Sequence, residues 1–563
     1  MRWTIKPKPE ADKLASLKEA LQVDDITATL LLQRGIETFD EAKAFFRPDL
    51  NQLHNPYLMK DMDKAVARIE QAFANNENIL VYGDYDVDGT TSVALMSLYL
   101  KTRSDLVATY IPDRYDEGYG VSFKGIDFAS DNDFTLIVAL DCGIKAIDKV
   151  AYAKEKGIDF IICDHHRPGD TIPEAIAVLD PKRNDCEYPY KELCGCGVGF
   201  KLIQALSERE GKTIKDLVGY LDLVATAIGA DIVPITGENR ILAFYGLRVI
   251  NGFPRPGIKA LLNQVNKKNE LTITDVVFTV APRINAAGRM KHGNYAVTLL
   301  AEEDEDLATK YAEEINAYNE DRRETDRRIT EEALEQIKEN KEEDRITSVV
   351  YHESWHKGVI GIVASRLTET YYRPTLVFTK SGDKLAASAR SVVGFDVYNA
   401  LEACSEHIEQ FGGHKYAAGL TLKKENYEAF KQAFEDEVTK TIDRSLLVPE
   451  IRIDSQINLN DITPKFYRIL KQFAPFGPSN MTPVFMTKNL MDTGWGKRVG
   501  ADQTHLRVTV KQSDSNPMVG IGFGLGDKMD IISSQAPFDA VYSVDENEWQ
   551  GNVSLQLKLR DIK

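Results

Sequence analysis

The sequence predicts an α/β protein in which a parallel-sheet domain and a smaller α/β domain are joined by a long helix and followed by a small β-barrel. Three patterns support this fold class. Apolar runs of strand length alternate with helical patterns between residues 79 and 253, which is typical of βαβ units and a parallel sheet. A densely charged helical stretch covers residues 302–345. Beyond residue 451, short strands separated by glycine turns are typical of a barrel such as an OB-fold.

The chain length and these changes of pattern predict five segments. With 563 residues the chain has room for about three domains of ordinary size. The predicted boundaries are 1–50 for an N-terminal helical segment, 51–300 for the parallel-sheet domain, 301–345 for the connecting helix, 346–445 for the second α/β domain and 446–563 for the barrel. We expect the N-terminal segment to be a structural cap on the domain that follows it.

The composition is that of an ordinary globular protein with an acidic excess. Hydrophobic residues make up 43% of the chain and charged residues 28%, with a formal net charge of −17. This charge argues against a protein that passively coats nucleic acid. It does not exclude an enzyme, because local basic grooves and metal ions can attract phosphate within an acidic protein.

Cysteine usage and hydropathy predict a cytoplasmic protein without a membrane segment. The six cysteines are scattered, as expected for reduced thiols. Cys194-Gly195-Cys196 has the wrong spacing for a zinc ribbon, so we interpret it as a tight turn. No apolar stretch approaches the roughly 18 residues that span a bilayer, and the N-terminus lacks the apolar core of a secretory signal.

Three aspartates at alternate positions follow the first apolar run. Residues 78–82 are strand-like, and Asp84, Asp86 and Asp88 come soon after them, before a glycine and a helical segment. Carboxylates this close raise one another's pKa values unless a cation lies between them, and hard divalent cations prefer such oxygens. An acidic loop with a helix N-cap remains the alternative for this motif alone.

Two further apolar runs end in side chains of the metal-ligand type. Residues 136–140 lead into Asp141, and residues 160–163 lead into Asp164, His165 and His166. Because open α/β sheets place their sites at the carboxyl ends of the strands, we expect these side chains to lie beside the first three aspartates. Carboxylates combined with imidazole suit Mn²⁺ well and Mg²⁺ adequately. Together, the three motifs predict a two-metal phosphoesterase site.

A further carboxylate follows a helical pattern at residues 220–230, which leads into Asp231. A negative charge at a helix C-terminus is unfavourable to the helix dipole, which indicates that Asp231 faces a cation. We therefore add Asp231 to the predicted metal site.

The order of these motifs resembles that of a known enzyme family. DYDVDG at 84–89, DCG at 141–143 and DHH at 164–166 resemble the motifs of the DHH phosphoesterase superfamily, and FGGHKYAAG at 411–419 resembles a motif of the associated DHHA1 domain. The whole series is similar to that of the RecJ-type single-stranded-DNA-specific exonucleases. The resemblance implies a DHH catalytic domain at 51–300, a DHHA1 domain at 346–445 and an OB-fold domain at 446–563.

The resemblance also implies roles for the acidic and histidine residues. Two Mn²⁺ or Mg²⁺ ions are expected, with the ligands Asp84, Asp86, Asp88, Asp141, His165 and Asp231. The expected catalytic residues are Asp86, Asp88, Asp141, His165, His166 and Asp231. His166 is expected to contact phosphate. Asp164 is expected to support the metal ligands by hydrogen bonding without binding the ions itself.

Substrate-binding residues are expected in both α/β domains. The resemblance implies that Arg114 approaches the nucleic-acid backbone, with an ordinary surface salt bridge as the alternative. It also implies a substrate-facing loop at 278–290, which would present Arg283, Asn285 and Arg289, and arginine forks suit phosphate oxygens. In the second domain, an anion pocket opposite the metals is expected from Ser388, Arg390, Gly412, Gly413 and His414.

The barrel carries a third candidate surface for nucleic acid. Basic and aromatic side chains that together suit a single strand are Trp495, Lys497, Arg498, His505, Arg507 and Trp549. Tryptophans that are simply buried in the barrel remain an alternative of equal weight.

These features predict a metal-dependent 5′→3′ exodeoxyribonuclease that degrades single-stranded DNA to mononucleotides by two-metal phosphodiester hydrolysis, in DNA repair and recombination. A single-strand-binding protein and a DNA helicase are candidate partners. Two alternatives stay open. One is a DHH-family phosphodiesterase for short oligonucleotides or cyclic dinucleotides, although such relatives are generally shorter. The other is a non-catalytic DNA-binding scaffold, against which the intact motifs argue.

Overall fold

The N-terminal segment is a short strand followed by three helices. The structure is a computed structural model that describes residues 1–265, 269–549 and 551–563. Its first elements are β1 (Arg2–Ile5), α1 (Ala11–Leu21), α2 (Asp25–Leu32) and α3 (Phe39–Phe46). Strand β1 pairs in parallel with residues 450–453, and the buried residues of the helices share one core with the C-terminal domain. The segment therefore packs on the barrel, and it also contacts the following domain, where Arg240 donates to the carbonyl of Phe45 and Tyr245 donates to that of Pro48.

The larger α/β domain contains a five-stranded parallel sheet. Its elements are α4 (Met62–Ala74), β2 (Asn78–Gly83), α5 (Val87–Lys101), β3 (Val107–Tyr110), α6 (Phe123–Asp131), β4 (Phe134–Leu140), α7 (Ile147–Glu155), β5 (Asp159–Cys163) and β6 (Ala177–Leu179). The strand order is β3-β2-β4-β5-β6, and each neighbouring pair is parallel. The central strands are almost entirely apolar and buried on both faces, as parallel sheets require. The carboxyl ends of β2, β4 and β5 therefore meet at one edge.

Helices complete this domain. They are α8 (Gly195–Arg209), α9 (Leu221–Ala230), α10 (Gly237–Gly252), α11 (Pro256–Asn263), α12 (Ile273–Met290) and α13 (Asn294–Ala301). The predicted alternation of strands and helices thus ends at Leu179. The predicted loop at 278–290 is also wrong, because this stretch lies within α12. A capping box of Thr272 and Asp275 starts that helix, and its small residues serve close packing: a Cβ at Gly288 would lie 2.7 Å from the carbonyl of Tyr85.

A single long helix connects the two α/β domains, as predicted. Helix α14 (Glu305–Glu339) has 35 residues and spans about 50 Å at 1.5 Å per residue. Ala308, Ala312 and Ile315 in its first half belong to the core of the larger domain. Ile329 and Ile337 in its second half pack against the second domain.

The second α/β domain is built on a mixed sheet. Its elements are β7 (Ser348–Tyr351), α15 (Ile360–Tyr371), β8 (Thr375–Ser381), β9 (Lys384–Arg390), α16 (Val397–Ala403), β10 (Gln410–His414), β11 (Ala417–Lys423) and α17 (Tyr427–Thr441). The strand order is β10-β11-β9-β8-β7. Only the β7–β8 pair is parallel among the strands that the structure describes in this sheet.

The C-terminal domain is a barrel-like mixed sheet. Its elements are β12 (Glu450–Ile453), β13 (Ser455–Gln456), α18 (Pro464–Lys471), β14 (Phe485–Asp492), β15 (Lys497–Val499), β16 (His505–Lys511), β17 (Met518–Gly522), α19 (Met529–Ser533), β18 (Phe538–Trp549) and β19 (Asn552–Ile562). The order β13-β14-β18-β19-β17-β16-β15 is closed by pairing of β14 with β16. Strands are present beyond residue 451 as predicted, although β12 pairs with β1 in a separate two-stranded sheet, and β18 is one strand that the sequence analysis missed. Among the described residues, no helix combines the length and apolarity needed to cross a bilayer.

Candidate metal centre and substrate cleft

The ends of three neighbouring strands place acidic side chains side by side. Asp84 follows β2, Asp141 follows β4 and Asp164 follows β5. Asp84 is completely buried, and neither of its carboxylate oxygens has a hydrogen-bond partner among the described residues. Burial and the charge of Asp86 raise the pKa of Asp84 well above its usual value. A buried carboxylate in this setting is stabilised by a bound cation.

Asp88 is held by the start of a helix that is distant in sequence. Its two oxygens accept hydrogen bonds from the backbone N–H groups of Gly195 and Cys196, at 2.6 and 2.7 Å. The interpretation of Cys194 to Cys196 as a tight turn is therefore wrong, since these residues begin α8 and point its positive end at the site. Burial and Asp86 raise the pKa of Asp88 to about 7, although the two N–H bonds act in the opposite direction.

Gly195 is required where it lies because the helix start also touches Asp141. A Cβ at Gly195 would lie 2.6 Å from the Cβ and 2.7 Å from Oδ1 of Asp141. Asp141 itself has a left-handed backbone conformation, with φ of 59°, and its N–H donates to the carbonyl of Cys163 at 2.8 Å. Only a glycine lets the helix approach both carboxylates so closely.

His165 lies at the centre of the cluster. Its Nε2 is 3.2 Å from Oδ1 of Asp141, 3.5 Å from Oδ2 of Asp231 and 3.7 Å from Oδ2 of Asp88. Burial and the charge of His166 lower the pKa of His165 to about 3, so the imidazole is neutral at physiological pH. A neutral imidazole has a free lone pair, which a metal ion can accept.

Asp231 comes from a different part of the domain. It lies at the C-terminal end of α9, as the sequence predicted, and its Oδ2 has no hydrogen-bond partner among the described residues. Burial and the charges of Asp88 and Asp86 raise the pKa of Asp231 to about 8. Asp86 lies at the rim, where Oδ1 accepts from the N–H of Gly89 and caps α5.

Asp164 and His166 form a supporting pair. Asp164 accepts from the backbone N–H groups of Ile144, His165 and His166 and from Nδ1 of His166 at 2.8 Å. Burial opposes ionisation, yet these bonds and the charge of His166 lower the pKa of Asp164 to about 2. Burial likewise acts to lower the pKa of His166, but Asp164 raises it to about 9. Nε2 of His166 faces the cleft, where it lies 3.2 Å from the hydroxyl of Tyr119.

The donor set fits divalent cations. Two groups of ligand atoms lie close enough to share an ion, Asp141 with His165 and His166, and Asp88 with His165 and Asp231. Within the described residues, buried atoms without a hydrogen-bond partner include both oxygens of Asp84, Oδ1 of Asp141, both ring nitrogens of His165 and Oδ2 of Asp231. Carboxylate oxygens with one or two imidazoles are the donors that Mn²⁺ and Mg²⁺ accept. The ligand roles assigned to individual residues stay predictions.

Basic residues line the wall next to this cluster. Arg114 lies over the ring of Tyr85, with its guanidinium carbon 3.9 Å from the ring centroid, and donates to the carbonyl of Gly288. Burial, with the positive charges of Arg114, Arg322 and Arg390, lowers the pKa of Arg289 to about 10. Guanidinium groups gathered in this way repel one another, so an anionic ligand between them is favourable.

The three predicted residues of α12 face different ways. Asn285 and Arg289 are four positions apart and share one face of the helix. Oδ1 of Asn285 is buried without a hydrogen-bond partner in the described part of the chain. Arg283 turns toward α14 instead, where its Nε donates to Oδ1 of Asn316 at 2.9 Å.

The second domain contributes Ser388 and Arg390 from one strand. Nη1 of Arg390 donates to Oγ of Ser388 at 3.0 Å, and both side chains lie against Gly361 near the start of α15. The glycine–glycine–histidine segment lies on β10, where it is exposed, and β11 separates it from β9. His414 on β10 is paired with Ala417 on β11, which is paired in turn with Arg390 on β9. In the same way, Gly412 is paired with Gly419, which is paired with Ser388. Gly413 lies between these two positions on β10.

The two α/β domains touch at the mouth of the cleft. Nη1 of Arg289 donates to the carbonyl of Gly358 at 3.0 Å, and the hydroxyl of Tyr115 donates to the carbonyl of Arg289 at 2.6 Å. These contacts bring Arg289 and Tyr115 against Gly358, just before α15 of the second domain. The charge of Arg114 acts on both Asp84 and Arg289, and that of Arg390 acts on Arg289, so arginines of both domains lie near the carboxylates.

Three protein-family models match the chain in succession. They are the N-terminal domain of the DHH family at residues 78–228, the DHHA1 domain at 344–440 and the RecJ OB domain at 453–561. Fold and site thus define a phosphoesterase of the DHH type with an additional OB domain.

Individual relatives identify the family within this class of phosphoesterases. The single-stranded-DNA-specific exonuclease RecJ of Escherichia coli is 35% identical over 98% of this chain and 98% of its own, and that of Bacillus subtilis is 36% identical over 100% of this chain and 70% of its own. The chain belongs to the RecJ family, which confirms the resemblance seen in its motifs.

Two solved structures of a relative share the fold of this chain, and one contains Mn²⁺ and the other Mg²⁺. RecJ of Thermus thermophilus in complex with Mn²⁺ has a TM-score of 0.86 at 27% identity and covers 100% of this chain and 79% of its own. A structure of the same relative with Mg²⁺ has a TM-score of 0.78 at 24% identity, over 100% and 78% of the two chains. The predicted fold class is confirmed, and the predicted ions are those found in these relatives.

Proposed function

We propose that this protein is a 5′→3′ exodeoxyribonuclease that degrades single-stranded DNA to mononucleotides by two-metal phosphodiester hydrolysis. The observation that carries the proposal is the cluster of buried, unpartnered carboxylates around a neutral His165, with Arg114 and Arg289 close by. Carboxylates that hold metal ions and arginines that hold phosphate are the two components that such a hydrolase needs. RecJ relatives carry the name of single-stranded-DNA-specific exonucleases, which supports the choice of substrate.

The residues of this chain divide the work of hydrolysis between them. Asp84, Asp88, Asp141, His165 and Asp231 would hold two Mn²⁺ or Mg²⁺ ions, with Asp86 at the rim. When bound, the ions would supply an activated water and stabilise the charge on the departing oxygen. The helix start at Gly195 and Cys196 fixes the orientation of Asp88, and Asp164 fixes that of His166. His166 then presents Nε2 to the scissile phosphate.

The direction of degradation would be set by the second domain. Arg390 and Ser388 are hydrogen-bonded to each other and lie against Gly361 in the first turn of α15. A terminal 5′-phosphate carries more charge than an internal phosphodiester, so an arginine fork and a helix start bind it preferentially. With the 5′ end held there, the first phosphodiester bond would lie over the carboxylate cluster.

The rest of the strand would follow a basic row on the OB domain. Lys497, Arg507, Ile521 and Lys558 occupy directly opposed positions on four adjacent strands, β15, β16, β17 and β19. The three charged side chains are exposed, while Leu506 and Val508 alternate with Arg507 and point into the core. Trp495 is 73% exposed, which removes the buried alternative for this residue. The side chain of Trp549 lies outside the described residues.

The experiment that tests the proposal follows both ends of one substrate. A long 5′-phosphorylated single strand with a 3′ label should yield a descending ladder of labelled fragments in Mn²⁺, whereas a 5′ label should appear directly as a mononucleotide. A label released first from the 3′ end would reject the direction. Activity confined to dinucleotides would favour the small-substrate alternative, and no hydrolysis would favour the scaffold. The role in repair and recombination, the location in the cytoplasm, and the single-strand-binding and helicase partners stay predictions.

A further inference from the structure

One aromatic side chain, that of Tyr119, lies beside the metal centre without belonging to the set of metal ligands. Tyr119 follows the segment that carries Arg114, and its side chain is 54% exposed to the cleft. Its neighbours Gly118 and Gly120 both have positive φ, at 85° and 80°. Glycine is the residue that adopts this backbone conformation without strain, so the sequence Gly-Tyr-Gly fixes a bend that carries the phenol.

The phenol is directed at the catalytic centre. Its hydroxyl lies 3.2 Å from Nε2 of His166, whose other nitrogen is bound by Asp164. The ring packs edge-on against the rings of both His166 and Tyr85, at centroid distances of 6.0 Å. Tyr85 in turn lies under Arg114. An exposed side chain held by two aromatic contacts and one hydrogen bond has a defined position.

The distance between the hydroxyl and Nε2 has a direct consequence for phosphate binding. Two polar atoms 3.2 Å apart can both hydrogen-bond to a single oxygen that lies about 2.8–3.0 Å from each of them. A phenol can donate or accept, so it bonds to His166 in the free protein and can turn its O–H to an incoming anion. An oxygen that reaches Nε2 of His166 therefore also reaches Tyr119.

We propose that Tyr119 is a further catalytic residue, whose hydroxyl hydrogen-bonds to His166 in the free protein and to a non-bridging oxygen of the scissile phosphate when DNA is bound. The inference rests on the proposed function, because it concerns the same phosphodiester. It assigns to Tyr119 the role of a second donor beside His166, fixed in advance by the bend between the two glycines. Fixed donors aimed at a phosphate oxygen stabilise the charge that develops there during the reaction.

The test compares hydroxyl removal at two tyrosines in the full-length protein. Tyr119→Phe should lower kcat on a 5′-phosphorylated single strand by about ten-fold or more, the size expected for one hydrogen bond to a charged acceptor. The matched control is Tyr152→Phe, which removes a hydroxyl that donates to Asp127 at 2.7 Å elsewhere in the same domain, and it should leave kcat unchanged. An unchanged kcat for Tyr119→Phe would overturn the assignment. If only Tyr119→Ala lowered kcat, the ring of Tyr119 and not its hydroxyl would be what hydrolysis requires.

Sulfur substitution tells whether the hydroxyl touches the phosphate. For one stereoisomer of a phosphorothioate at the scissile position, the slowing relative to normal DNA should be smaller in Tyr119→Phe than in the wild-type protein. Equal slowing of both proteins by both stereoisomers would overturn the proposed contact even if kcat had fallen. Failure of the proposed function would show separately, as absence of hydrolysis by the wild-type protein.

Discussion

Replacing Gly195 by alanine is the perturbation whose effect the structure defines most sharply. The new Cβ would lie 2.6 Å from the Cβ and 2.8 Å from the Cα of Asp141, which real side chains do not tolerate. The start of α8 must then move away from the sheet edge. That movement lengthens the two hydrogen bonds of 2.6 and 2.7 Å from the helix to Asp88.

The expected loss of Mn²⁺ affinity follows from those two hydrogen bonds. A hydrogen bond to a charged group contributes roughly 1.5–3 kcal/mol. Loss of one such bond that orients a metal ligand typically lowers metal affinity by about 10–100-fold. We therefore expect Gly195→Ala to raise the dissociation constant for Mn²⁺ by about that factor and to lower kcat in parallel.

The assay is calorimetric titration of the metal-free protein with Mn²⁺, together with hydrolysis at saturating and limiting metal. The matched control is Gly252→Ala, a substitution at an exposed helix end where a Cβ would meet no atom within 4 Å. It should leave Mn²⁺ affinity and kcat unchanged. If Gly195→Ala and Gly252→Ala bind Mn²⁺ equally well, the helix start does not support the metal site.

Four further outcomes follow from the same geometry. His165→Ala or Asp141→Ala should abolish hydrolysis while circular dichroism and thermal unfolding show a folded protein; normal turnover in either variant would rule out the two-metal model. Arg390→Ala should lower kcat/KM about ten-fold or more for 5′-phosphorylated strands and much less for 5′-hydroxyl strands, because one charge-assisted bond is lost; an equal loss on both would place the end-reading pocket elsewhere. Charge reversal at Lys497, Arg507 and Lys558 should weaken binding of long strands, and flatten its salt dependence, without slowing hydrolysis of very short ones. Burial raises the pKa of Asp88 to about 7 and that of Asp231 to about 8, so the metal-free fold binds more protons at this site than the unfolded chain does between about pH 6.5 and 8, where His165 is neutral in both states. Its unfolding free energy, measured with urea, should therefore fall as pH rises through this window, and Mn²⁺ should remove the fall.

Local patterns predicted the strands and the ligands at their ends. The apolar runs before Asp84, Asp141 and Asp164 are continuous in sequence, and parallel strands necessarily bring their ends together. The hydrogen bonds from Gly195 and Cys196 to Asp88 join residues more than 100 positions apart, and no local pattern indicates them. The small residues at 194–199 were the available signal, since a helix that starts with glycines can approach another backbone closely.

Two other features of the structure were not predicted from the sequence. The N-terminal segment pairs with residues 450–453 and shares its core with the C-terminal domain, a contact that depends on the whole chain being folded. Deleting the barrel would therefore expose the apolar faces of α1 to α3, so surface charge reversal is the cleaner test of its role. The stretch 278–290 was predicted as a loop from the family resemblance, whereas the capping box at Thr272 begins a helix that continues through Pro282 to Met290.

The location of bound metal tests the central claim most directly. Crystals soaked with Mn²⁺ should show two anomalous-scattering peaks about 3.5–4 Å apart at the carboxyl edge of the parallel sheet. Both peaks should lie among Asp84, Asp88, Asp141, His165 and Asp231. A single peak outside this cluster, or no peak in protein that hydrolyses DNA in Mn²⁺, would rule out a two-metal site at these residues.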